Sequence, residues 1–294
     1  MTLFLQFAIA GITMGALYSL IALGFVLIYK SSKILNFAQG EFVLVGGYVG
    51  LFFITQLGLP IWLGVVFLVA ALALLGFVIE KLTIRPLVGQ PILAIIIMTL
   101  GLSLLINGTV ICITGSELGT YPQFIPTAPI KIGGAVFSQV YAWCFGIAVI
   151  LVALSTYFFL HTRYGLYMRA TAESHEVAQS VGIKVKSTFT LAWVIAAAIG
   201  GIGGFLLGII MGVSGDLSEF GLKVFPVVLL GGLESIPGAI IGGMVIGLLE
   251  NVAAGYLDPL VGGGVTEIFP YIIMVVILIF KPYGLFGLIR IERI

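Results

Sequence analysis

The chain has 294 residues, of which 61% are hydrophobic and 9% charged, with a net charge of +1 and a mean hydropathy of +1.25. Too few polar groups remain to clothe so much apolar surface in water, which excludes a soluble globular domain, and the near-neutral charge offers no argument for a nucleic-acid partner. The apolar segments run about 20 to 27 residues, enough to cross a hydrocarbon core of roughly 30 Å as helices, and the alternation of barrel strands is missing. The composition therefore predicts an all-α polytopic integral membrane protein.

In chain order, the first expected span runs from Leu3 to Tyr29, with Gly11, Gly15 and Ser19 at four-residue intervals, a small face that admits a close neighbour. No basic region or small-residue cleavage site precedes it, so it reads as a retained span and not a signal peptide. After Lys30-Ser31-Ser32-Lys33 comes a polar knot, Asn36-Phe37-Ala38-Gln39-Gly40-Glu41, leading into a second span from Phe42 to Thr55. A carboxylate and two amides at this depth are costly without partners. They read either as a pathway or gate element or as an interfacial helix start capped by Asn36. A third span covers Ile61 to Glu80 and ends in a short basic loop with Lys81 and Arg85. The fourth, Pro91 to Ile113, carries Thr99, Ser103 and Asn107 on one face, either lining a solute route or bonding to another helix. Thr114 to Gln139 reads as a longer loop with three prolines, and the fifth span covers Val140 to Leu160. Cys112 and Cys144 sit in apolar runs and read as small hydrophobes, with no disulfide or metal site implied.

His161 to Ser187 is the one extended segment that belongs to water. It holds Arg163, Arg169, Glu173, Glu176, Lys184, Lys186 and both histidines. Its periodicity predicts a helix from Gly165 to Val181 with Leu166, Ala170, Val177 and Val181 on one stripe, and with small Ala172 and Ala178 where another protein could approach. On pattern alone it is either a docking helix or a solvated connector. The sixth span, Thr188 to Val213, places Ala196, Gly200, Gly204, Gly208 and Gly212 on one line, a ridge for intimate helix contact. Ser214 to Lys223 is polar. Val224 to Leu230 is apolar but too short to cross, and Gly231 to Gly238, with Glu234, Ser235 and Pro237, interrupts it before Gly243 and Gly247 resume a small face. Such a break is tolerated only where protein or a water-filled cavity satisfies the freed backbone, which predicts a broken or re-entrant helix. The last span is Ile268 to Phe280, followed by a tail with Arg290 and Arg293. The count is about eight spans.

The basic loops alternate with loops poor in Lys and Arg, placing His161 to Ser187 in the cytoplasm and Ser214 to Lys223 outside. A polar or Gly-rich knot followed by a Gly-spaced helix recurs at Asn36 to Gly50 and Gly231 to Gly247, a weak echo of two related halves. No P-loop is present, and Gln179 stands where a zinc helix beginning at His175-Glu176 needs its second histidine. No nucleophile with its base is evident. The residues describe a route through a membrane without an engine, and not an enzyme.

Leu17-Tyr18-Ser19-Leu20-Ile21-Ala22-Leu23-Gly24, Leu35 to Glu41, Arg163-Tyr164-Gly165 with Arg169-Ala170, Leu230-Gly231-Gly232 with Ser235-Ile236-Pro237-Gly238-Ala239, and Lys281-Pro282-Tyr283-Gly284-Leu285-Phe286-Gly287 together resemble the permeases of branched-chain amino-acid (LIV-type) ABC importers. The likeness covers the whole chain, and urea and short-amide permeases look similar. It implies a single permease domain in a prokaryotic inner membrane. The partners it implies are a homologous second permease, two cytoplasmic ATPase subunits that use ATP and Mg²⁺, and an extracytoplasmic solute-binding protein; this chain itself would bind no cofactor. An autonomous carrier or channel is the rival reading. By the same likeness Gly165, Arg169, Ala172, Glu173, Ala178 and Gly182 belong to a coupling helix seated in an ATPase cleft. Asn36, Gln39, Glu41, Ser103, Asn107, Glu234, Ser235 and Pro237 are candidates for the solute pathway. Gln39 stands where the family often has His, and Glu234 where a small residue is usual. The added carboxylate either alters solute preference or gating, or faces cytoplasmic water.

Overall fold

The computed structural model describes residues 2–115, 117–126, 128–132 and 135–287, so the expected tail cations Arg290 and Arg293 lie outside the described residues. Among the described residues eleven α-helices are formed: α1 (Thr2–Ser32), α2 (Gln39–Leu51), α3 (Ile61–Ile79), α4 (Ile92–Thr114), α5 (Gln139–His161), α6 (Arg163–Glu173), α7 (His175–Ser180), α8 (Val185–Met211), α9 (Glu219–Gly231), α10 (Ile236–Val261) and α11 (Val265–Phe280). A π-helical turn (Phe52–Gln56) extends α2, and a short hairpin of β1 (Pro129–Ile132) with antiparallel β2 (Ala135–Ser138) lies within the expected Thr114 to Gln139 loop. Among the described residues six helices are long and apolar enough to cross a membrane: Thr2–Ser32, Ile61–Leu87, Ile92–Thr114, Gln139–His161, Val185–Met211 and Ile236–Val261. The two other expected spans are shorter helices, α2 with its extension and α11. α1 is the central post, 94% buried along its most apolar stretch against 22% for α3, α4 and α5, whose remaining faces are left for the surroundings.

Small residues set the packing. A Cβ added at Gly11 would meet the Gly247 carbonyl and Leu248, and at Gly15 the backbone of Met244 and Gly243, so α1 and α10 run antiparallel with their backbones in contact. Ser19 reinforces the seam, its Oγ lying 2.7 Å from the Gly15 carbonyl and 2.9 Å from that of Ile240. The expected ridge on α8 is equally occupied: a Cβ at Gly204 would fall on the Val43 carbonyl, and Gly200 packs on Phe42 and Gln39.

α1 to α4 and α8 to α11 repeat one plan in opposite directions. α1 ends at Ser32, Lys33 adopts φ 58°, and the chain turns back to begin α2; α8 ends at Met211, Gly212 adopts φ 88°, and the chain turns back to begin α9. α3 packs against α8 as α10 packs against α1. The internal repeat is present, but its register differs from the one the glycine spacing suggested. The counterpart of Asn36 to Glu41 is Val213 to Gly221, not Gly231 to Gly238. Ser214 to Lys223 is likewise not a simple outer loop. Val213 pairs with Gly119, Leu217 is buried, and Ser218 accepts a hydrogen bond from Asn107, so the segment folds back among the helices.

The break in the second half falls at Gly232, φ 97°, with Ser235 capping α10 through the Gly238 amide at 3.0 Å. α9 has 13 residues and rises only about 20 Å, too short to cross alone. Two carbonyls freed at its end are taken by the strap after α11: Leu285 N donates to Leu230 O at 2.7 Å and Phe286 N to Gly231 O at 3.2 Å. That gives the Lys281 to Gly287 motif a physical task, satisfying carbonyls that the broken helix leaves free.

Candidate functional site

The two turned-back helices meet at their first turns. A Cβ at Gly40 would fall on the Ser218 carbonyl and one at Gly221 on the backbone of Gly40, so only glycine permits this approach. The junction lies deep in the protein. Gln39 Nε2 donates to the Ala196 carbonyl at 3.5 Å, and Ala196 stands eleven residues, about 16 Å, into α8. Asn36 shapes the turn, its Oδ1 accepting from Ala38 N at 3.1 Å and its Nδ2 donating to Gln39 Oε1 at 3.4 Å. Both amides are buried.

On the α4 side, Ser103 Oγ donates to Glu41 Oε1 at 2.8 Å, Asn107 Nδ2 to Ser218 Oγ at 3.1 Å, and Thr99 Oγ1 lies 3.3 Å from Leu35 O. The polar stripe of α4 thus bonds to both turned-back segments. Glu41 is buried, and its second oxygen has no hydrogen-bond partner among the described residues.

On the other side, sequence reasoning missed a second charged cluster. Tyr18 OH donates to Glu250 Oε1 at 3.1 Å, and Lys223 Nζ lies 3.5 Å from the same oxygen and 5.3 Å from the centre of the Phe220 ring. The side chains of Lys223 and Glu250 are 12% and 3% exposed, which places an ion pair inside the fold. Glu250 lies in the apolar run that follows the Gly231 to Gly238 break. The signal that finds its partner is the rule that such an acid requires a cation, with Lys223 adjoining an apolar run.

Glu234, Ser235 and Pro237 are not part of this junction. Glu234 forms an ion pair with Lys33 at 2.5 Å, both side chains about a quarter exposed, joining the α1–α2 turn to the α9–α10 turn. Ser235 and Pro237 build the first turn of α10. Of the expected pathway residues, Asn36, Gln39, Glu41, Ser103 and Asn107 come together, and these three do not.

The solvated stretch departs from its expected form. The helix from Gly165 to Val181 is two helices, interrupted where Ser174 adopts φ −155° and ψ 122° and caps α7 with its own side chain. Serine competes for backbone amides in this way, and favours a cap over a helix interior. The inward face is Gly165, Met168, Thr171 and Ala178, while the expected stripe members Leu166, Val177 and Val181 are 53%, 62% and 70% exposed. Ala178 packs internally with Val185 and Phe189. A Cβ at Gly165 would fall on the Phe159 carbonyl, and Arg169 Nη1 donates to Phe159 O at 2.9 Å and Leu160 O at 3.1 Å. Arg169 therefore closes the end of α5. Ala172 is half-buried, Glu173 exposed, and Gly182 ends the segment with φ 84°.

Elsewhere, Tyr121 bonds to the Gly47 carbonyl at 2.6 Å over α2, and burial pushes its phenol well above the usual range, so it remains a donor.

The sequence profile described as branched-chain amino acid transport system / permease component matches residues 7–279. LivH of Salmonella typhimurium, named a high-affinity branched-chain amino acid transport system permease protein, is 30% identical, with 99% of this chain and 98% of that protein covered. BraD of Pseudomonas aeruginosa, of the same description, is 28% identical over 99% and 98%. A probable branched-chain amino acid transport permease protein LivH of Methanocaldococcus jannaschii is 31% identical over 91% and 88%. These matches run nearly end to end through the helices that build the junction, and the chain belongs to the family of branched-chain amino acid transport system permease components.

Proposed function

We propose that the chain, as one permease domain, is a membrane-spanning subunit of a prokaryotic ABC importer for branched-chain amino acids, and that its solute passes the junction of α2 and α9. The observation that carries this reading is the meeting of two turned-back helix starts between two buried carboxylates. Helix N-termini carry the positive end of the backbone dipole and suit a solute carboxylate; Glu41 or Glu250 suits its ammonium. The largely apolar surroundings suit an aliphatic side chain.

The basic ends of the helices, with Lys30, Lys33, Lys81, Arg85, Lys184 and Lys186, face the cytoplasm in this reading. α6 and α7 then present Tyr164, Leu166, Tyr167, Val177 and Val181 to an ATP-binding subunit, an exposed apolar face that asks for a partner. The partner subunits supply ATP and Mg²⁺, a second homologous permease completes the route, and a binding protein delivers the solute.

Vesicles holding the assembled importer test it. ATP-dependent uptake of leucine, competed by isoleucine and valine but not by urea or short amides, is expected, with no accumulation by this chain alone. Accumulation by the chain alone contradicts the reading, and preferential uptake of urea or amides replaces its solute. Leu166→Ala with Val177→Ala should uncouple ATP hydrolysis from uptake. These two are cleaner probes than Arg169, whose guanidinium serves α5.

A further inference from the structure

Where the basic end of α3 meets the start of α8, a cavity of about 740 Å³ opens that the transport reading does not use. Its lining combines apolar side chains, Phe77 and Val88 among them, with the cations Arg85, Lys184 and Lys186. Its charges are unequally matched. Arg85 is spent internally: Nε and Nη2 reach the two oxygens of Glu80 at 3.1 and 2.8 Å, and Thr190 Oγ1 donates to the same carboxylate at 2.8 Å. Lys184 and Lys186 are exposed, and the ion pairs among the described residues, Lys33–Glu234, Arg85–Glu80 and Lys223–Glu250, include neither. The cavity therefore keeps two uncompensated cations. Phe77 stands in the last turn of α3, within the span Ile61–Leu87 that is only 22% buried along its most apolar stretch, and Phe77 and Leu82 on this span are both exposed.

We propose that this cavity holds one anionic phospholipid, with the phosphate against Lys184 and Lys186 and an acyl chain along Phe77 and Val88. Two unpaired cations in a cavity shared with apolar side chains of a largely uncovered membrane helix match a charged head on an aliphatic tail, as basic pockets between membrane helices do. A soluble phosphate would use the lysines and leave the apolar side chains idle. The placement in the cytoplasmic leaflet rests on the orientation proposed above, but the binding itself does not.

The test is native mass spectrometry of the full chain in mild detergent with phosphatidylglycerol, phosphatidylcholine or inorganic phosphate. One retained phosphatidylglycerol is expected, with phosphatidylcholine retained much less and phosphate unable to displace it. Lys184→Gln with Lys186→Gln should weaken retention roughly thirtyfold, the share of two basic residues in attraction to an anionic headgroup, while Lys131→Gln on the distant hairpin leaves it unchanged. Equal retention by the double variant, equal retention of phosphatidylcholine, or displacement by inorganic phosphate overturns the proposal. So does a double variant that keeps the lipid but no longer co-purifies with the ATP-binding subunits, which assigns the cavity to that interface. Thiol labelling of Lys184→Cys in sealed cells reads the orientation separately.

Discussion

At the start of α2 a lone carboxylate, Glu41, is held by Ser103, whereas beside the start of α9 the carboxylate Glu250 is held by a tyrosine and a lysine. The backbone plan is the same in both halves: a long helix, a positive-φ residue, a return, and a short helix beginning deep in the protein. The electrostatics are not. One half keeps an uncompensated acid next to the junction and the other a neutralised one, so two similar scaffolds present a solute with unlike ends. On the proposed route, a zwitterion crossing between them would meet a site with a polarity, which a symmetric pair of halves would lack.

The largest effect is expected where that difference is removed from the second half. Lys223→Ala leaves Glu250 buried without its cation and should cost about 3–5 kcal/mol, seen as loss of the folded protein in detergent melting. Adding Glu250→Gln should restore most of the stability. A double variant as unstable as the single one would show that the pair is not the cause. Next comes the shared backbone. Gly40→Val forces a branched side chain onto the Ser218 carbonyl and should cost about 1–3 kcal/mol or separate the two helix starts, measurable as a lowered midpoint with uptake lost.

Glu41→Gln sharpens the comparison most selectively. The amide can still accept from Ser103, so stability should change by less than about 1 kcal/mol, while leucine uptake falls roughly tenfold, the equivalent of about 1.4 kcal/mol of lost solute interaction. Unchanged uptake would move the ammonium site elsewhere. The smallest effect belongs to Lys33→Ala. Its pair with Glu234 is partly exposed, and the loss should be about 0–1 kcal/mol and shrink as salt is raised.

The long spans were legible because an apolar run of bilayer length admits few alternatives, and the four-residue glycine spacing correctly marked the α1, α8 and α10 seams. Thr99, Ser103 and Asn107 were legible as a stripe, though not what they would touch. The start of α9 was not. Glu219 and Lys223 flank its first turn and Gly221 interrupts it, so the unbroken apolar run begins only at Val224 and Lys223 reads as part of an outer loop. Nothing local reveals that Gly212 turns the chain inward or that Gly221 meets Gly40. The Tyr18 to Glu250 contact spans 232 residues, a separation at which periodicity carries no information. The interruption at Ser174 was hidden for the opposite reason: residues on either side keep a helical rhythm, and only the cap breaks it.

The most direct test of the junction as the solute route is thiol accessibility at Ser103, beside Glu41. Cys112, which is exposed, and Cys144, which is buried, are first replaced, and Ser103→Cys is then labelled with a water-soluble reagent in the assembled importer. Labelling that changes between nucleotide-free and ATP-bound states, and that a transported solute slows, is the expected result. A thiol that stays unlabelled in every state while uptake proceeds would contradict the account.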